Sequence, residues 1–221
     1  MINTIMEMTA IKGLARKAAL GLAVGMLLLA PVAAEAHCDT MDGPTVKDAL
    51  KAMKTDNVNY ALKWVQPRYE GEVTRAFNLS MKVMDINADT RNLAEQYFFE
   101  ILLRDHRAGE GAPFEGVKPH GTPIDERVKA ADRSIEEGNL KPLEHLVDKD
   151  KQPELERRFQ RVMALRDFDV NDLEAGREYI EAYVQFFKFA EGEEDEHHGV
   201  HGHGGHEAVS YTHLTLPTNR E

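Results

Sequence analysis

The sequence has a single cysteine, Cys38, among 221 residues, so no disulfide can close within the chain. Aromatic residues make up only 7% and tryptophan occurs once. With β-branched residues also sparse, an all-β core has little to build from. Basic residues are in deficit: 27 Lys and Arg stand against 38 Asp and Glu, a net charge of −11. That excludes nucleic acid as a partner, because phosphate binding needs a concentrated basic face. No apolar run reaches the roughly 20 residues that span a bilayer, and the run at 18–30 is about 13 long. There is no Gly-rich phosphate loop, no nucleophile elbow and no paired CxxC, and Ser80, Ser134 and Ser210 have no triad context. What remains is 42% apolar and 29% charged, the composition of a globular chain of one or two domains.

Both ends separate from that globular part. Residues 1–36 read as a secretory signal peptide: Lys12, Arg16 and Lys17 precede the apolar run, and Ala34-Glu35-Ala36 is an A-x-A cleavage site. Val32-Ala33-Ala34 is a second acceptable site, which would leave two residues before His37. Cleavage after Ala36 makes the product secreted or periplasmic, with no membrane anchor. At the other end, 209–221 (VSYTHLTLPTNRE) breaks from a Gly/His/Glu tail into unrelated text that resembles translated sequencing-adapter DNA. It carries no functional weight here, His213 included.

Between the ends, the chain aligns with itself at an offset of 82 without a gap. Val46-Lys47 falls on Val128-Lys129, Asn57 on Asn139, Val65 on Val147, Glu72 on Glu154, Phe77 on Phe159, Asp85 on Asp167 and Tyr97 on Tyr179. Each copy reads as helices: 45–55, 57–66, 69–85 and 88–107 in the first; 125–137, 139–148, 153–168 and 171–190 in the second. Apolar residues recur at helical spacing, as in Ala94, Tyr97, Phe98, Ile101 and Leu102. Asn87 or Asp89 and then Asn171 are cap residues, and Gly109–Pro113 is read as the stop of the fourth helix. The expected fold is all-α, a four-helix bundle of two duplicated hairpins over 45–190. A short segment, 37–44, precedes it and an acidic, His-rich tail, 191–208, follows it. Features present in both copies are scaffold; features in one copy only are where function was added.

The unpaired features are 37–44, His106 with its following loop, and the tail. A terminal His37 offers a metal both an amine and an imidazole, and the amine deprotonates cheaply near neutrality. Cys38 adds a thiolate, whose pKa a metal lowers. Nitrogen and sulfur donors from adjacent residues suit copper or nickel. Asp39 and Asp42 add carboxylates, and His106, near the end of a long helix beside a Gly-rich loop, is the remaining imidazole ligand. Glu100, Asp105 and Glu110 are candidates to orient an imidazole, and Arg107 to steer or hold an anionic substrate. His120 and His145 read as solvated.

The start His37-Cys38-Asp39 resembles the processed amino terminus of nickel superoxide dismutases. That family binds nickel in a short hook on a four-helix bundle. The resemblance implies that His37 supplies an amine and an axial imidazole, and Cys38 a thiolate and an amide nitrogen. The family's second metal-binding cysteine falls on Asp42 here, followed by a matching Gly43. A carboxylate is a harder ligand than a thiolate, which moves the expectation from nickel toward copper, the top of the Irving–Williams order. Most of 37–190 is also similar to a family of secreted bacterial helical proteins without an assigned function. Its members start HCDxxDGP and carry a YFFE…HRAGEGAP box, here 97–100 and 106–113.

In the tail, His197, His198, His201, His203 and His206 on Gly-rich backbone bind Cu(II), Ni(II) or Zn(II) loosely. The leading functional expectation is a secreted metalloenzyme that dismutes superoxide with copper, nickel being the alternative. A non-catalytic periplasmic metal buffer or metallochaperone is the second, and a helical partner-binding domain without metal the third. Metal ions and superoxide are the expected partners, and a homo-oligomer is left open.

Overall fold

The computed structural model describes residues 37–192. The expected leader, the tail histidines and 209–221 lie outside the described residues.

The class is all-α. Seven helices are found among the described residues: α1 (Pro44–Thr55), α2 (Asn59–Leu62), α3 (Glu70–Val83), α4 (Ala88–Glu110), α5 (Glu126–Glu137), α6 (Gln152–Leu165) and α7 (Leu173–Glu191). Two 3-10 turns, Pro67–Tyr69 and Lys141–Leu143, lie between them. None of these helices is long and apolar enough to cross a membrane.

The bounds repeat at the sequence offset of 82: α1 falls on α5 and α3 falls on α6, residue for residue. The turns repeat as well. α1 ends on Asp56 and α5 on Gly138, both left-handed, with φ of 52° and 70°. Beyond them the Asn57 side chain accepts from the Asn59 amide at 3.0 Å, and Asn139 accepts from the Lys141 amide at 3.1 Å. The chain therefore leaves both short helices in the same way.

Packing follows the apolar stripes. α3 lies along α4 and α6 along α7, while α1 lies on α4 as α5 lies on α7. The Phe77 and Phe98 rings meet edge-on at 5.5 Å within the first hairpin, and Phe159 and Phe186 meet tilted at 5.7 Å within the second. The two hairpins meet through 57–66. Trp64 sets its ring against Tyr183, Arg177 Nε donates to the Val65 carbonyl at 2.9 Å, and the Lys63 ammonium lies over Phe168 and Tyr179.

Several sequence expectations need correction. The helices expected at 57–66 and 139–148 shrink to one helical turn and one 3-10 turn. Pro67 restricts Gln66, which turns extended at ψ 154° and separates the first of these segments from α3. The fourth helix runs through Gly109 and stops at Gly111, which takes φ 73°. Asn87 is the cap of α4, in a reciprocal capping box with Thr90, but Asp172 rather than Asn171 caps α7. Asn171 instead accepts from Asn57 and Asn59. Tyr97, expected in the core stripe, is 45% exposed.

Phe98 is fully buried against Phe77 and Phe99. Phe98→Ala is expected to cost about 3–5 kcal/mol through lost burial and the cavity left behind. Denaturant unfolding followed by circular dichroism checks this.

Candidate functional site

The first described residues do not trail off the bundle; they are folded into it. His37, Cys38, Asp39 and Thr40 are all buried. The segment is a turn: Thr40 Oγ1 donates to the His37 carbonyl at 3.1 Å, and the Gly43 amide to the Thr40 carbonyl at 2.9 Å. Gly43 then starts α1. A Cβ at that position would sit 2.3 Å from the His37 carbonyl oxygen, so only glycine lets the turn close. The loop after α4 clasps the segment from outside. The Met41 amide donates to the Lys118 carbonyl at 2.9 Å and the Lys118 amide to the Asp39 carbonyl at 2.8 Å.

Asp39 anchors the turn to α4. Its carboxylate accepts from Arg107 Nε at 2.9 and 3.0 Å, while Arg107 Nη1 donates to Glu110 at 2.9 Å. One guanidinium thus serves two carboxylates. Burial pushes the Asp39 carboxyl up despite the pull of Arg107. His106, one residue earlier on α4, donates from Nδ1 to the Trp64 carbonyl at 2.8 Å. A carbonyl can only accept, so Nδ1 carries a proton. The Nε2 of the same ring is buried and has no hydrogen-bond partner; the nearest carboxylate, Glu110, is 3.7 Å away.

His37 has the mirror-image arrangement. Its Nε2 lies 3.0 Å from Asp132 Oδ2, and its Nδ1 is buried without a partner. The other Asp132 oxygen accepts from the Tyr183 hydroxyl at 2.7 Å, which helps fix the carboxylate. The ring itself stands edge-on to Phe187. A pocket of about 670 Å³ reaches His37 from solvent, its wall including Thr40, Asp42, Lys47, Lys129 and Asp132. Cys38 is buried beside the core, within electrostatic reach of Asp39, Arg107 and Glu110. Burial and Glu110 push its thiol up to about 12, against the opposing pull of Arg107.

The structure therefore redistributes the expected ligands. Asp39 is an ion-pair partner of Arg107 and is not free for a metal. Asp42 is exposed, accepting from His120 Nδ1 and from the Gly121 amide, both at 2.7 Å. His120, expected to be merely solvated, is that carboxylate's partner. Arg107 is only 2% exposed and its charge is matched by two carboxylates, so it does not present a cation to solvent. Without a metal, burial holds Cys38 as a thiol. Of the residues expected to orient an imidazole, Glu110 comes nearest to His106, Asp105 pairs with Arg104, and nothing joins Glu100 to the site. Asp132, Tyr183 and the Trp64 carbonyl were missed. Asp132 and Tyr183 stand opposite Leu50 and Ile101 in the other copy, a mismatch that the rule of unpaired features would have flagged.

Among the described residues, no three side chains of His, Cys, Asp or Glu gather in a group that could hold a metal ion. Taken singly, His37 and His106 nevertheless have the donor chemistry of metal ligands. Each imidazole has one nitrogen beside an oxygen acceptor and the other buried without a hydrogen-bond partner, as second-shell carboxylates and carbonyls arrange for metal ligands. The amine of a chain starting at His37 would be a further donor, from the main chain.

Two outcomes are expected. Gly43→Ala displaces the turn, so Cys38 reacts with a disulfide reagent at least about tenfold faster than in the parent chain; unchanged labelling would show that the turn tolerates a Cβ. The second concerns pH. The folded chain holds the Cys38 proton to about 12, whereas the ordinary thiol value is 9.0. Unfolding then releases a proton above pH 9.0, so stability falls as pH rises. Metal-free protein should lose unfolding free energy above pH 9.0 more steeply than its Cys38→Ser variant, and parallel slopes would contradict the burial.

Residues 42–189 match a family profile described as "Family of unknown function (DUF6448)". No curated protein and no solved structure matches the chain. The matched stretch includes His106, Arg107, Glu110, Asp132 and Tyr183, while His37, Cys38 and Asp39 lie just before it. The chain belongs to the DUF6448 family.

Proposed function

We propose that the processed protein is a secreted metal-binding protein that holds a copper ion at its amino terminus, nickel being the alternative. The observation that carries this reading is the pair of buried imidazoles, His37 and His106, each with one nitrogen fixed and the other unpartnered. A buried polar atom without a partner is costly, and a bound ion is one way to satisfy it. His37 would bind through its amine and Nδ1, with Asp132 accepting from Nε2. His106 would offer Nε2, with Trp64 holding its other nitrogen. When bound, copper supplies a one-electron redox couple. The pocket beside His37 gives an ion or a small molecule a way in.

Two uses of such a site compete. Dismutation of superoxide requires an anion to approach a protein of net charge −11. Lys47 and Lys129 on the pocket wall favour that approach, whereas Arg107 is buried and matched. Metal buffering or delivery needs no substrate and uses the tail histidines as a loose capture arm. The burial of Arg107 puts buffering ahead of dismutation.

The test compares the full chain starting at His37 with the same chain carrying one extra alanine before it. In both, the five tail histidines are changed to alanine. Titration calorimetry and elemental analysis should give one Cu(II) per chain for the first, bound at least about 100-fold more tightly than by the second. His106→Ala should weaken it by at least about tenfold. Equal binding by the extended chain, or none by either, overturns the proposal. A superoxide assay on the loaded protein then separates the two uses.

A further inference from the structure

The first hairpin leaves an apolar face uncovered. Ile86 is 66% exposed, Leu93 65% and Tyr97 45%. Leu93 and Tyr97 are one helical turn apart and share a face of α4, and Ile86 lies in the connection just before that helix.

The matching side of the second hairpin is covered. At the offset of 82, Ile86 corresponds to Phe168 and Tyr97 to Tyr179. Those two rings pack against each other at 5.4 Å and receive the Lys63 ammonium at 5.2 and 5.8 Å. Asn57 and Asn59 of the same incoming segment donate to Asn171. The first repeat thus supplies the segment that caps the second hairpin. The second repeat has a segment of the same shape. Asn139 accepts from the Lys141 amide as Asn57 does from Asn59, and the Leu146 amide donates to Leu143 as Trp64 does to Ala61. This second segment has no further hairpin of its own chain to cap.

We propose that a second copy of this chain fills the gap: the 139–147 segment of one molecule docks on the Ile86–Leu93–Tyr97 face of the next, reproducing between molecules the contact made within each. Charge complementarity supports this occupant. Lys141 takes the register position of Asn59, and Asp89, in the first turn of α4, that of Asn171. Among the described residues, neither Lys141 nor Asp89 makes an ion pair. His145, exposed, takes the position of Lys63 opposite Ile86 and Tyr97. The contact joins two different surfaces, so it is head-to-tail and builds rings or open chains rather than a symmetric pair.

Sedimentation velocity on the full chain starting at His37 tests this, with Kd expected in the range of about 1–100 μM for a contact of this size. Leu93→Asp, which ruins the face, and Lys141→Glu with His145→Glu, which ruins the segment, should each weaken association at least about tenfold. All three positions are solvent-exposed, so the variants should fold, and circular dichroism confirms it. An equimolar mixture of the two variants should form a heterodimer and nothing larger, because each retains one intact surface. Asp89→Lys should restore association to the Lys141→Glu chain. A chain that stays monomeric across the range, association unaffected by Leu93→Asp, or a mixture that yields no heterodimer overturns the proposal. The last result would indicate a symmetric face-to-face pair.

Discussion

The buried pair of Asp39 and Arg107 is the interaction on which the placement of the amino terminus depends. Neither charge can be left alone where it sits, because removing one partner from a buried pair strands the other at about 3–5 kcal/mol. Arg107 is held along α4 by Glu110, so Asp39 has a fixed target and the residues beside it are carried into position. His37 and Cys38 are buried as a consequence, and the loop carrying Lys118 closes over them. Specificity rather than net stability is what such a pair provides: a hydrophobic substitute could hold the segment down, but not at one register.

The two repeats share a scaffold and divide the chemistry. Helix bounds, short-helix exits and hairpin cores recur at a constant offset. The polar residues of the site do not recur: His106 stands opposite Lys188, Arg107 opposite Phe189, and Asp132 opposite Leu50. α4 supplies His106, Arg107 and Glu110, while α5 and α7 supply Asp132, Tyr183 and Phe187. Each half contributes side chains that the other lacks, and neither half alone contains the set.

The fold was legible in the sequence wherever local physics decides it. Apolar residues at helical spacing gave the long helices, and Asn87 gave a cap. Pro142, inside a segment that otherwise reads as helical, was underweighted, and Gly109 was overweighted as a breaker although Gly111 was free to take the left-handed turn. At the site, the logic of unpaired features singled out 37–44 and His106, which the structure buries. It misjudged Asp39 and Asp42, whose partners, Arg107 and His120, come from far along the chain and leave no local pattern. Asp132 was hidden for the same reason. A surface carboxylate on an amphipathic helix looks like any other until the fold brings His37 to it.

The Phe187 ring against His37 sets an order of events during folding. His37 is near the beginning of the described chain and Phe187 near its end, so their contact closes almost the whole domain into one loop. Contacts of such long range form late, after local hairpins have condensed, because the entropy of closing the loop must be met first. The segment that carries His37 is synthesised before the helices it packs against and yet is seated last. Its donors stay solvated until α7 has docked, so the pocket takes its final shape only in a chain that has finished folding.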